Sequence, residues 1–257
     1  MREDTRRAHA AEACLRRLTT TRAQLRLLWL AIGATLVTAQ CATLPKGPVA
    51  CDHIQIQPDG LTLREAEAYC RYAADERKKV EAFWGATWID PIRIHVSGAY
   101  RISRALVPAY LGNRGFMEMP LRRARDNSGA LLHEIVHVYA PNPNRFLAEG
   151  LAVYLHTRLA GNAALPNWGE DLGRAAARSA GTIGSLAALN AVRTPEPLGR
   201  VMDEMTAYIL AGSFVQLLID RYGLPRFRSL YETEDYEQVY GKPLAAVERE
   251  WRASLSP

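Results

Sequence analysis

The string ALLHEIVHVYA, Ala130–Ala140, constrains this chain more than any other. It holds His133-Glu134-x-x-His137 inside an apolar run. At helical spacing, residues four apart stack on one face, so both imidazoles can grip a single metal ion from adjacent turns. Glu134 follows His133 directly and points to the side of the pair, where it can reach a water on the metal. Leu131, Leu132, Ile135, Val136 and Val138 make the rest of the helix apolar enough to bury. The fold must therefore place two histidines and a carboxylate inside a helical core.

Two histidines leave a tetrahedral catalytic zinc one protein ligand short. RFLAEGLAVYL, Arg145–Leu155, offers Glu149. Pro141-Asn142-Pro143-Asn144 breaks the first helix a turn after His137, and the second helix starts near Arg145. In an antiparallel hairpin, Glu149 then lies level with His137, and Gly150 leaves room for close helix contact. The competing reading of Glu149 is a solvated helix carboxylate. Its apolar neighbours Phe146, Leu147, Leu151, Ala152 and Val153 make an unpaired charge there costly. These residues predict one Zn²⁺ per chain, held by His133, His137 and Glu149, with Glu134 as general base.

The size, 257 residues, and the composition, 48% hydrophobic and 23% charged, exclude a disordered chain, a collagen, a coiled coil and a multi-span membrane protein. The formal charge of +5 is uneven: residues 1–40 carry seven Arg against Glu3, Asp4 and Glu12, which leaves +1 for the remainder. Bulk charge therefore gives no support to a nucleic-acid partner. The Arg-rich residues 1–26 precede an apolar run of 11 residues, Leu27–Val37, too short to span a bilayer and suited to a signal-peptide core. The reading is an exported protein, periplasmic or extracellular, with residues 1–39 as a signal peptide. A membrane anchor through 27–37 is the alternative, and a lipidated Cys41 a weaker one. Residues 40–50 read as a linker and 51–257 as the domain. In an oxidising compartment Cys51 and Cys70 could pair, with Cys41 an equal competitor for Cys51 and unpaired thiols the other outcome.

Local patterns predict an α+β chain: a small N-terminal α/β sheet subdomain with an edge strand, followed by a mainly helical half. A short strand is expected at His53–Gln57, ended by Pro58-Asp59-Gly60. Thr62 and Glu65 form a capping-box pair opening a helix to about Trp84. Ile92, Ile94 and Val96 alternate with polar residues as in a half-buried strand. A further extended segment is expected at Arg114–Met119, after a Gly112-Asn113 turn. Helices follow at about 128–140, 145–160, 170–179, 203–222, 225–231 and 243–255, with 181–198 as a loop-rich bridge.

H-E-x-x-H followed by F-L-A-E-G-L-A-V-Y resembles the gluzincins, the clan of zinc metallopeptidases that contains thermolysin and the aminopeptidase N family. Eleven residues separate His137 from Glu149, fewer than is usual in the clan. AYILAGSFVQLLIDRYG, Ala207–Gly223, resembles the family's Tyr-x-x-Gly-(Ala/Ser) helix, with Gly212 one place late. The resemblance implies that Tyr208 steadies the oxyanion of the tetrahedral intermediate. A core tyrosine is the other reading, and Tyr139 and Tyr154 are rival donors. The resemblance also implies that Gly115–Glu118 is the edge strand that pairs with an extended substrate, and that Glu118 could read a substrate amine. The tail YGKPLAAVEREWRASL resembles the closing helix of small bacterial peptidase-like relatives. His156, seven residues after Glu149, is a candidate support for a ligand, and Asp203 and Glu204 are candidate orienters of a His ring.

The resemblance implies a zinc-dependent metallohydrolase, a peptidase, acting on a peptide or protein substrate with no nucleic-acid partner. The alternative is a catalytically silent extracytoplasmic domain of the same fold that binds peptides or envelope partners. The sequence leaves the oligomeric state open.

Overall fold

The computed structural model describes residues 44–85, 91–106, 115–164, 166–182 and 184–255. The signal or anchor segment and the Gly112-Asn113 turn lie outside them. Among the described residues, no helix is long and apolar enough to cross a membrane.

The fold is α+β, a five-stranded mixed sheet followed by helices. Strands β1 (Val49–Cys51), β2 (Ile54–Pro58), β3 (Ile92–Ser97), β4 (Arg104–Leu106) and β5 (Phe116–Pro120) lie in the order β1-β2-β3-β5-β4. β2, β3 and β5 run parallel; β1 and β4 are antiparallel on the two edges. The alternation read in β3 holds over most of the strand: Ile92, Ile94 and Val96 are buried and Arg93 is exposed, while Ser97 at its end is buried and donates to Asp59. Val49 and Ala50, expected in a linker, are strand residues, because β2 supplies them with an antiparallel partner.

Helix α1 (Leu63–Trp84) connects β2 to β3. Its capping box forms as expected: the Glu65 N–H donates to the Thr62 hydroxyl at 3.2 Å, and the Thr62 N–H donates to Glu65 Oε2 at 2.8 Å. A Cys51–Cys70 disulfide staples α1 to the end of β1, which decides against Cys41 as the partner of Cys51.

The sheet corrects one expectation. Gly115–Glu118 does not form an exposed edge. β5 pairs with β3 on one side and β4 on the other, with Glu118 opposite both His95 and Arg104. The true edge is β4, a three-residue strand whose pattern is too short to show periodicity.

The helical half comprises α2 (Leu121–Arg125), α3 (Leu131–Tyr139), α4 (Arg145–Leu159), α5 (Leu172–Ala177), α6 (Ala187–Asn190), α7 (Glu204–Tyr222), α8 (Leu224–Thr233), α9 (Tyr236–Tyr240) and α10 (Leu244–Ser254). α6 falls inside the stretch expected to be loop, and α9 was not expected at all. α10 closes the domain on α7, where the Trp251 indole N–H donates to the Ser213 hydroxyl at 3.1 Å.

The α4–α7 contact sets the depth of the site. A Cβ added at Gly150 would lie 2.6 Å from the Ala211 carbonyl oxygen, and one at Gly212 would lie 2.5 Å from Val153 Cγ1. Two glycines thus let the helix backbones approach more closely than any side chain allows. The room at Gly150 faces α7, not the preceding helix as the hairpin picture suggested. Gly150→Ala is therefore expected to cost roughly 1–3 kcal/mol through overpacking. A thermal melt should show a fall of roughly 2–12 °C, since about 2–4 °C accompanies each kcal/mol at this domain size. An unchanged melting point would mean that the helices separate freely.

Candidate metal centre

All nine residues of α3 are buried, histidines included. The helix is core on every face, because the sheet edge and α1 cover one side and α4 the other. Burying two imidazoles and a carboxylate is costly unless they are mutually satisfied, and here they converge. His133 Nε2 and His137 Nε2 are 3.1 Å apart. Glu149 Oε2 lies 3.0 Å from the first and 3.4 Å from the second. Bonds of about 2.0–2.1 Å to a tetrahedral zinc separate ligand atoms by about 3.3–3.4 Å. The observed triangle is close to that size, so the donor set, two imidazole nitrogens and one carboxylate oxygen, fits zinc in both chemistry and spacing. Among the described residues this is the one cluster able to hold a metal.

The short link between His137 and Glu149 closes because distant segments pin it. Asn142 Oδ1 accepts the Asn144 N–H at 2.7 Å, and the Asn142 amide donates to the Tyr231 carbonyl. Buried Asn144 caps α4 by accepting the Leu147 N–H at 3.1 Å. The Arg145 N–H donates to the Val192 carbonyl, and the Tyr231 hydroxyl donates to the Ala140 carbonyl at 2.7 Å. A five-residue turn, residues 140–144, joins α3 to α4, with α8 and residues 192–194 as its buttress.

Glu149 is only 1% exposed. Burial works against its charge, yet the imidazoles of His137 and His133 hold its carboxyl well below the usual carboxylate range. Its second oxygen, Oε1, pairs with Arg145 Nη2 at 2.8 Å. One oxygen is thereby anchored and the other is left facing the histidines. The i,i+4 spacing of Arg145 and Glu149 is the one signal of this pair in the sequence.

Glu134 stands beside the triangle. Its Oε2 accepts the Ala105 N–H of edge strand β4 at 2.7 Å. That backbone contact could not be read from the sequence, because the strand carrying it was not. Tyr208 comes to the same cavity of about 360 Å³, which His133, Glu134, His137, Glu149 and Arg145 also line. Its ring centroid is 6.3 Å from that of His133, and its hydroxyl donates to Glu204 Oε1 at 3.4 Å. Burial, then the Glu149 charge, pushes the phenol far above its ordinary pKa, so it remains a proton donor at neutral pH.

Other candidates are placed elsewhere. Tyr139 donates to Glu81 and accepts from Arg77. Tyr154 is held between Arg158 and Asp220. Neither lines the cavity. Glu118 pairs with Arg104. Asp203 is spent as the cap of α7, accepting the Thr206 N–H at 2.8 Å. Glu204 reaches the cavity as the partner of Tyr208. His156 is buried, and burial together with the charge of His133 pushes its pKa down to about 4, so it is neutral.

No family model matches the sequence, and no curated protein matches it. Among solved structures, the chain is similar to an M1 zinc metallopeptidase from Deinococcus radiodurans, at 17% identity and a TM-score of 0.43, over 81% of this chain and 50% of that one. A mutant of that peptidase bound to a Tyr-Ser-Ala substrate matches at 17% identity and a TM-score of 0.46, over 82% and 51%. The chain spans about half the length of these structures.

Proposed function

We propose that the protein is a zinc-dependent metallohydrolase of the peptidase type, with zinc held by His133, His137 and Glu149. The observation that carries this reading is the convergence of three buried ligand atoms at 3.0–3.4 Å, beside a carboxylate that is not part of the triangle. Zinc held there supplies Lewis acidity toward water and toward a carbonyl oxygen.

The chain's own groups do the rest. Glu134, oriented through Oε2 by the Ala105 N–H, has Oε1 to take a proton from the attacking water. The water oxygen adds to the peptide carbonyl carbon. Glu134 then returns the proton to the leaving nitrogen. The Tyr208 hydroxyl turns from Glu204 to donate to the developing oxyanion. Arg145 fixes Glu149 in position. Export belongs to the same reading, because a disulfide such as Cys51–Cys70 persists in oxidising compartments.

The test is elemental analysis of the purified chain, followed by a peptide-library digest. About one zinc per chain is expected, since three protein ligands make one tetrahedral site with an open position. A chain that takes up no zinc on reconstitution would remove the reading. Full zinc with no cleavage of any peptide would move it to a silent peptide-binding domain.

A further inference from the structure

Next to the metal cavity lies a larger one of about 690 Å³. Arg101, Arg122 and Arg123 line it, with the rings of Tyr100 and Trp168, and Asp126 is the acid in its wall. Arg123 and Ala130 line both cavities, so the two adjoin where α3 begins. A chain bound across the metal centre has a direct path into this space.

The arginines of α2 divide their work. Arg125 is structural: it donates to the Gly60 carbonyl at 2.8 Å and pairs with Glu65 at 3.3 Å. Arg122 is exposed and Arg123 half-buried. Arg101, on the turn between β3 and β4, is exposed as well. Among the described residues none of these three forms an ion pair, and Asp126 is turned to the Ser128 N–H at 3.0 Å. Three guanidiniums share this cavity with a single carboxylate, Asp126, which lies within electrostatic reach of Arg122, so the lining keeps an excess of positive charge. Each also has a fork suited to a carboxylate.

The aromatic wall has its own oddity. Trp168 is 63% exposed and sits at φ +51°, a left-handed conformation that a bulky residue adopts only under strain. The turn is held by the Trp168 N–H donating to the Ala164 carbonyl at 2.8 Å. A strained turn that pushes an indole into water does nothing for the core. It does provide a flat surface for a bound chain.

We propose that this cavity is a carboxylate-reading subsite of the hydrolase cleft, and that the substrate is a peptide carrying carboxylates on one side of the bond that is cut. Arg101, Arg122 and Arg123 receive the carboxylates, and Trp168 and Tyr100 pack against the chain between them. The carboxylates come from Asp or Glu side chains or from the peptide's own C-terminus. A nucleic acid is the poorer occupant: residues 41–257 carry only +1 in all, and neutralising many phosphates needs more cations than these three. The inference rests on the hydrolase reading for the course of the bound chain.

The test uses the full-length, zinc-loaded protein with Glu134→Gln, so that peptides are bound and not cut. Three fluorescent octapeptides are compared by anisotropy: a Glu-rich one with an amidated end, its Gln counterpart with an amidated end, and the Gln peptide with a free C-terminus. At low salt the Glu-rich peptide, the free-ended one, or both should bind roughly tenfold tighter than the amidated Gln peptide, and salt should erode the difference. Which of the two gains identifies the source of the carboxylate. Adding Arg101→Ser and Arg122→Ser should bring the peptides close to parity with circular dichroism unchanged. Equal binding of all three peptides would overturn the proposal, as would no binding of any. So would a preference that survives the double substitution, or displacement by oligothymidylate at lower concentration than by the acidic peptide. Zinc content of the same sample reports separately on the hydrolase reading. A zinc-free protein that still prefers the acidic peptide removes that reading and keeps the subsite; a zinc-loaded protein with no preference does the reverse.

Discussion

Glu134→Gln should keep its zinc and lose turnover by roughly 10²–10⁴-fold, the usual contribution of a positioned general base. The substitution is close to isosteric, and the amide oxygen can still accept the Ala105 N–H that now reaches Glu134 Oε2 at 2.7 Å. Packing should therefore survive. What disappears is the basic oxygen. Glu134 is outside the triangle of His133, His137 and Glu149, so the metal should not be affected. Zinc per chain and kcat on a cleaved peptide, measured on the same preparation, separate the two effects. Turnover close to that of the parent would exclude Glu134 as the base, and zinc loss would mean that it is a ligand after all.

Glu149→Ala should lower zinc affinity by more than about 100-fold, the upper end of what the loss of a mere supporting residue costs. It removes one of the three proposed ligands and leaves the Arg145 guanidinium, now paired at 2.8 Å, facing the histidines. A cation opposite an incoming metal worsens the loss. Arg145→Met provides the graded comparison. It frees Glu149 Oε1 without removing the ligand oxygen, and should weaken zinc by roughly 10–100-fold while full loading is still reached at high zinc. Competition against a chelator gives both affinities, with circular dichroism as the check on folding. Equal zinc affinity in the parent and Glu149→Ala would place the third ligand elsewhere.

Some of the fold was readable because it depends on neighbours in sequence. The Thr62–Glu65 capping box is local, and it formed. The alternation of Ile92, Ile94 and Val96 requires only one buried face, and that face is buried. The long helices α1, α4 and α7 could be read from sequence, α1 from its spacing and caps and the other two from long apolar runs bounded by breakers. Elements that depend on partners were not readable. Residues 49–51 and 104–106 are strands because β2 and β5 lie beside them, and three residues carry no period of their own. Arg114–Met119 reads as an extended segment, but an extended segment does not state how many neighbours the strand will have. Its place inside the sheet, and the transfer of the edge to β4, are matters of topology.

The same division runs through the candidate metal centre. The sequence alone determined that His133 and His137 share a helix face with Glu134 beside them, since helical pitch fixes that from spacing. It also determined that Glu149 sits in apolar surroundings where a lone charge is costly. Only the tertiary structure decided that Glu149 closes the triangle, because a five-residue turn reaches that geometry through bonds to Tyr231 and Val192, some 50 to 90 positions away. It also decided that Arg145 takes the spare carboxylate oxygen, that Tyr208 and not Tyr139 or Tyr154 faces the histidines, and that the Ala105 amide holds Glu134. Spacing along one helix is set by backbone geometry. Contacts between helices and strands are set by how whole faces pack, which no short stretch of sequence contains.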